Sequence, residues 1–274
     1  MDQYFRPFID RWRLASDGAP FETHSSWLAP VLHGGKPALL KVFKPGSDET
    51  ESAAILRHWG DSAARVYEAD ETAIVIERVS PGTQMTDLVQ GDDNAATHAW
   101  CDTVAALHTR PAPEGWKDIE RCGRSLLEKP YPNDDRLPRA LFERARAEYR
   151  ALLDSQSATR FLLHTDLHHG NILKDDARGW IVIDPKGYAG ELAFEAASFL
   201  HNPTREYCAP GHLERRVRII APRLGLDEER LLRWVFAHGV LSAVWSIEMP
   251  VYDPIGGVEA ATAALEVLGG KFGA

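Results

Sequence analysis

One short β-rich island, residues 161–184, interrupts a chain that otherwise reads as helical beyond residue 82. It opens with Phe161-Leu162-Leu163-His164-Thr165-Asp166-Leu167-His168-His169-Gly170-Asn171 and closes with Trp180-Ile181-Val182-Ile183-Asp184-Pro185. Two apolar runs, Ile172-Leu173 and Trp180-Ile181-Val182-Ile183, flank a polar turn at 175–179, and this pattern predicts a β-hairpin. Folding back at that turn brings Asp184 near Asn171, because paired strands lie about 4.8 Å apart. Asp166 precedes Asn171 by five residues, in the loop that leads into the hairpin. A fold that accepts this island must gather three oxygen-bearing side chains at one end of it.

Phosphoryl transfer needs such a set. Magnesium takes hard oxygen ligands, usually one or two carboxylates completed by phosphate and water. Asn171 and Asp184 can supply the protein ligands, and Asp166 can accept or orient a substrate hydroxyl proton. Kinase catalytic loops carry an Asp, an Asn five positions later, and a separate metal-binding Asp downstream. The order here is His164-x-Asp166-x-x-x-x-Asn171, then Asp184. Each residue alone is equally well explained as a turn or cap. Their joint spacing points to a metal–nucleotide site.

The first eighty residues supply complementary features. Trp27–Leu32 and Pro37–Phe43, around Gly34-Gly35, predict a second hairpin, with Pro30 at an edge or bulge. Ala53, Ile55, Leu56 and Trp59 recur at helical spacing within 49–59, and Ala73–Ile76 reads as a strand. Lys41, inside the hairpin's second strand, is assigned to the α- and β-phosphates, with the alternative of an edge lysine that blocks aggregation. Its helix partner is expected to be Glu51, with Glu49 as the fallback. Thr23-His24-Ser25-Ser26 is expected to cover the phosphates through backbone N–H groups and the Ser25 and Ser26 hydroxyls, although it lacks G-x-G-x-x-G. No G-x-x-x-x-G-K-[ST] occurs in the sequence. The connector Glu77-Arg78-Val79 is expected to present backbone groups to the adenine. Beyond Ser80-Pro81-Gly82 the helical stretches are 95–108, 139–153, 213–224, 228–249 and 258–268. This divides the chain into a nucleotide-binding lobe at 1–79 and a helical lobe at 80–274 that carries the catalytic loop and acceptor site.

Composition narrows the partners. The formal charge of −9 leaves no basic footprint for nucleic acid. No run approaches the roughly 18 apolar residues of a membrane span. The N-terminal residues lack an apolar secretory core, so a cytoplasmic location is expected. Cys101, Cys122 and Cys208 match no zinc or redox spacing. His164, His168 and His169 do not form H-E-x-x-H. His164 is expected to buttress the loop, and His168 to reach the transferred phosphate. Asp184 is followed by Pro185-Lys186, and helical pattern resumes near Glu191. That leaves no room for the activation loop and A-P-E of a protein kinase. A small hydroxylated acceptor is therefore favoured, with no obligate protein partner, and the net negative charge suits a cationic one. Glu191, Glu195, Glu248 and Asp253 are the candidate acceptor carboxylates, each with the alternative of a solvated charge or helix cap.

The segments 164–173 and 180–187 resemble the aminoglycoside phosphotransferase family, and within it the streptomycin 6-kinase branch (aminoglycoside/hydroxyurea resistance kinases). The similarity extends to Pro37–Lys41 and Gly239–Trp245 and spans about residues 26–265. The resemblance implies an α+β, protein-kinase-like bilobal fold: a small β-sheet N-terminal lobe with one helix and a larger, mostly helical C-terminal lobe. It implies ATP, with GTP as an alternative, bound with Mg²⁺ in the cleft. It further implies Asp166 as catalytic base, Asn171 and Asp184 as magnesium ligands and Lys41 as phosphate ligand. Thr165 stands where that branch usually has Gly, which puts the backbone angle there in question. The same residues would serve a metabolic kinase for a sugar or amino alcohol, or a catalytically silent nucleotide-binding protein.

Overall fold

The computed structural model describes residues 2–249 and 253–272. Its contacts divide the chain into two units. The first comprises the residues up to Met85 together with Asn171–Gly187, and the second comprises Thr86–Gly170 and the residues from Tyr188 onward.

The first unit is built on an antiparallel sheet. Its strands are β1 (Ala15–Ser16), β2 (Phe21–Glu22), β3 (Ser26–His33), β4 (Lys36–Phe43), β5 (Val66–Ala69) and β6 (Ala73–Glu77). They run in the order β1-β3-β4-β6-β5, with β2 also on β3. The β3–β4 turn places Gly34 and Gly35 at φ +56° and +78°, the left-handed pair that a tight hairpin requires. Pro30 is not on an edge strand. β1 pairs Val31 and Leu32, β2 pairs Trp27 and Leu28, and Pro30 falls in the gap, where no partner strand needs its missing N–H. Strand alternation separates two faces of β4. Ala38, Leu40 and Val42 join a core with Phe5, Phe8 and Trp12, while Lys41 is out of phase with them. Helix α1 (Asp2–Arg11) contributes Phe5, Phe8 and Ile9 to that core. The expectation of a single helix in this region is thus corrected to two, the second being α2 (Ser52–Trp59). Helix α2 starts three residues later than its apolar spacing suggested. Glu49 remains in the preceding loop, with its carbonyl accepting from the Ser52 N–H at 2.9 Å.

Strand β7 (Pro81–Gln84) leads to helices α3 (Met85–Gly91), α4 (Asp93–Leu107), α5 (Ile119–Cys122), α6 (Arg124–Leu127) and α7 (Arg139–Asp154). Then come β8 (Phe161–Leu163) and the hairpin β9 (Ile172–Asp175) and β10 (Gly179–Val182). Strand β9 pairs with both β10 and β7, and Ala64 donates to the Val182 carbonyl at 2.9 Å. These bonds group the hairpin with the first unit, whereas a boundary at 79/80 assigns it to the second.

In the second unit β8 pairs with β11 (Tyr188–Gly190). Helices α8 (Leu192–Leu200), α9 (Pro210–Leu224), α10 (Glu228–Glu248) and α11 (Ile255–Phe272) complete it. Helix α10 packs against α7, α8 and α11. It approaches α11 so closely that a Cβ at Gly257 would lie 2.4 Å from the Gly239 carbonyl oxygen. The fully buried Arg216 joins α9 to α4: its Nε lies 3.0 Å from Asp93, and its guanidinium sits over the Phe199 and Tyr207 rings. Among the described residues no helix is long and apolar enough to cross a membrane.

Candidate active site

Two groups of functional side chains are present, one in each unit. In the first, Lys41 is 4% exposed and its Nζ donates to Asp184 Oδ1 at 2.7 Å. It also pairs with Glu49. The carboxylate partner of Lys41 is therefore Glu49 and not Glu51. Glu51 occupies the exposed position before α2, where its carbonyl accepts from Ala54 and Ile55. Burial alone would lower the Lys41 pKa, but the charges of Asp184 and Glu49 outweigh it and raise the value. The ammonium thus stays charged at any physiological pH.

The Asn171 carbonyl accepts from the Ile183 N–H at 3.0 Å, which sets Asn171 and Asp184 at the open end of the β9–β10 hairpin. Asp184 adopts φ +56°, a left-handed angle that Asp tolerates better than most residues. Among the described residues no group of three or more His, Cys, Asp and Glu side chains forms a closed metal cage. One carboxylate and one amide oxygen on a hairpin end fit the hard-oxygen, partly phosphate-supplied coordination of Mg²⁺.

The phosphate-loop expectation needs revision at both serines. Ser26 is fully buried in β3, and its carbonyl accepts from the Thr23 N–H at 2.9 Å. The Ser25 hydroxyl donates to Glu49 Oε1 at 2.9 Å, tying the loop to the partner of Lys41. Further along, the Glu77 carboxylate accepts from the Arg65 N–H at 3.0 Å and pairs with Arg178. Its side chain is thereby committed to the fold. Val79 is half-buried in the connector.

The second unit carries the loop 164–170. The fully buried Glu195 of α8 accepts backbone N–H groups from His164 at 3.0 Å and Thr165 at 2.9 Å. Burial pushes this carboxyl up to about 7, against the pull of those two donors, and the Asp166 charge adds to the rise. Thr165 adopts φ +62°, costly for a β-branched residue. Its hydroxyl donates to the His164 carbonyl at 2.7 Å and its N–H is held by Glu195. The glycine-like angle is therefore kept without glycine. His164 Nδ1 accepts from the Asp166 N–H at 3.3 Å, the buttressing expected of it. Trp100 Nε1 donates to the Leu167 carbonyl at 3.0 Å. Asp166 is half-exposed, and His168 Nε2 lies 3.9 Å from its carboxylate. His168 Nδ1 accepts from the Gly170 N–H at 3.0 Å, so the neutral ring carries its proton on Nε2, on the Asp166 side.

The expected acceptor carboxylates are all engaged within the protein. Glu191 binds Arg230 through both oxygens at 2.7 Å and accepts from Trp234 Nε1. Glu195 anchors the loop just described. Glu248 holds Ser125 at 2.9 Å and Lys129 at 2.7 Å. Asp253 caps the start of α11 through the Ile255 N–H. No sequence signal marked Glu195 as a loop anchor, because its partners lie 30 and 31 residues away.

Beneath the loop, His169 stacks on Phe199 at 4.3 Å, and His238 sits edge-on to Phe194 and Trp245. Burial lowers His169 to about 3 and His238 well below the ordinary 6.5. The unfolded chain binds these protons below pH 6.5 and the folded chain does not. Stability therefore falls on acidification from pH 6.5 towards 4. Burial likewise lowers His201, which lies 3.1 Å from His238, to about 4. Glu195 acts oppositely between about 7 and 4.5, as a single group against three. The net slope is expected to reach about 2.7 kcal/mol per pH unit, and His238→Phe to remove about half of it. Urea unfolding at pH 6.5, 5.5 and 4.5 measures it, and a flat profile would contradict this assignment.

The profile of the aminoglycoside/hydroxyurea antibiotic resistance kinases matches residues 11–249. A streptomycin 3''-kinase of Klebsiella pneumoniae is 38% identical over 258 residues, covering 87% of this chain and 91% of that protein. A streptomycin 6-kinase of Streptomyces glaucescens is 30% identical, covering 88% of this chain and 81% of that protein. Among solved structures, the aminoglycoside phosphotransferase APH(4)-Ia was crystallised as a thermostable mutant with ADP and hygromycin B. It superposes with a TM-score of 0.71 over 97% of this chain and 98% of that one, at 16% identity. That likeness establishes the protein-kinase-like fold.

Proposed function

The chain belongs to the aminoglycoside/hydroxyurea antibiotic resistance kinase family, and from that premise we propose that it transfers the γ-phosphoryl group of ATP to a hydroxyl of a streptomycin-like aminoglycoside. It is an O-phosphotransferase. The observation that carries the reading is the buried Lys41 held between Glu49 and Asp184. A lysine so placed is a fixed positive charge for the α- and β-phosphates. Asn171 and Asp184 would hold Mg²⁺, which when bound neutralises charge on the β- and γ-phosphate oxygens. Asp166, half-exposed on its braced loop, would orient the acceptor hydroxyl and take its proton. The Glu77–Val79 connector would meet the adenine through its main chain, as Glu77's side chain is committed to Arg65 and Arg178.

ADP release in the presence of Mg²⁺ and ATP, measured over a panel of streptomycin, hydroxyurea, choline and ethanolamine, tests the acceptor class. Streptomycin is expected to give the highest kcat/KM. A ranking led by choline or ethanolamine would reassign the protein to amino-alcohol metabolism. Within the same assay, Glu49→Gln should lower kcat/KM for ATP by about 100-fold, since Lys41 loses a charged partner. Glu51→Gln should stay within about 2-fold, as expected for an exposed charge. Equal losses at the two positions would refute the assignment of Glu49.

A further inference from the structure

The loop after β10 carries a second lysine whose position the reading above leaves unused. Asp184-Pro185-Lys186-Gly187 is a stiff segment, with Asp184 and Gly187 at φ +56° and +72° and a buried proline between them. Lys186 Nζ donates to Asp48 Oδ1 at 3.0 Å and lies 3.9 Å from Glu49 Oε1. Lys41 grips the other oxygen of that same carboxylate. The two ammonium groups therefore flank Glu49, and Lys186 stands two residues beyond the candidate metal ligand Asp184.

Their settings differ in a way that separates their tasks. Lys41 is 4% exposed and locked between two carboxylates. Lys186 is 28% exposed, and its partner Asp48 is 50% exposed. A pair that open to water contributes little, so exchanging Asp48 for an anionic ligand costs little. The lysine's long stem gives the ammonium the reach to do so.

We propose that Lys186 is a second phosphate-binding cation, which leaves Asp48 to contact the γ-phosphoryl group while Lys41 holds the α- and β-phosphates. This rests on the kinase reading above. Lys186 would then be a catalytic residue for the same transfer, placing positive charge on the group that moves. Asp48 would be its tether.

Calorimetric titration of the full chain with MgADP and, separately, with MgAMP-PNP tests this without an acceptor. Lys186→Ala is expected to weaken MgAMP-PNP about 10-fold and MgADP less than about 2-fold, as suits loss of one charge-assisted contact to the third phosphate. Lys186→Arg should restore most of the loss. Asp48→Ala, which removes the tether and keeps the ammonium, should preserve the preference for the triphosphate analogue or increase it. Equal weakening of both nucleotides by Lys186→Ala, or matching losses in Lys186→Ala and Asp48→Ala, would reduce Lys186 to a structural ion pair. Binding of neither nucleotide by the unaltered chain would overturn the kinase reading and this proposal together. A triphosphate preference that depends on Lys186, with no transfer to any acceptor, would sustain the lysine's role and sink the transferase reading alone.

Discussion

Asp166→Asn is expected to lower kcat for phosphoryl transfer by about 1,000-fold while leaving the affinity for MgATP within about 2-fold. Asparagine keeps the shape of the side chain but cannot take the acceptor's proton. The loop's backbone has several other supports. Its backbone is held by Glu195 at the His164 and Thr165 N–H groups, by His164 Nδ1 at the Asp166 N–H and by Trp100 at the Leu167 carbonyl. Thermal unfolding of the variant should therefore stay within about 2 °C of the parent, as for a surface change that breaks no buried contact. Steady-state kinetics beside that melt separates chemistry from folding. Retention of a tenth or more of the parent kcat would mean that another group takes the proton.

Asp184→Asn should be comparably damaging by a different route. The change removes the one carboxylate of the Asn171–Asp184 pair, and a divalent cation loses its charged protein ligand. We expect kcat to fall about 1,000-fold and the Mg²⁺ concentration for half-maximal rate to rise at least about 10-fold. Asparagine tolerates the left-handed angle at this position as well as aspartate does, so the backbone at φ +56° should persist. Lys41 keeps Glu49, and the asparagine amide oxygen can still accept the proton that Asp184 accepts now. A magnesium titration that is unchanged in the variant would remove Asp184 from the metal site.

The parts of this site that were legible in the sequence are those fixed by short-range spacing. Asp166, Asn171 and Asp184 lie within 19 residues, and the hairpin that relates the last two is written in two apolar runs and a polar turn. Lys41 is legible because it interrupts an apolar strand one position out of phase with Leu40 and Val42. What was not legible depends on long-range pairing. Glu191 finds Arg230 across 39 residues, and Glu248 finds Lys129 across 119, so both read as open carboxylates in sequence. The choice between Glu49 and Glu51 turned on where α2 begins. Apolar spacing places such a boundary only to within a turn, and here the helix starts at Ser52. Helix α1 escaped notice because Pro7 interrupts a short and strongly polar segment. The grouping of the β9–β10 hairpin with the first unit follows from its pairing with β7, residues 81–84, which carry Pro81 and Gly82 and read as a connector.

The most direct measurement is the mass of streptomycin after incubation with the full chain, Mg²⁺ and ATP, beside the same incubation with Asp166→Asn. The account predicts one added phosphoryl group with the parent chain and unmodified streptomycin with the variant over the same time. Streptomycin that stays unmodified with a parent chain shown to bind MgATP would contradict the proposed acceptor. Equal phosphorylation by parent and variant would contradict the assignment of Asp166.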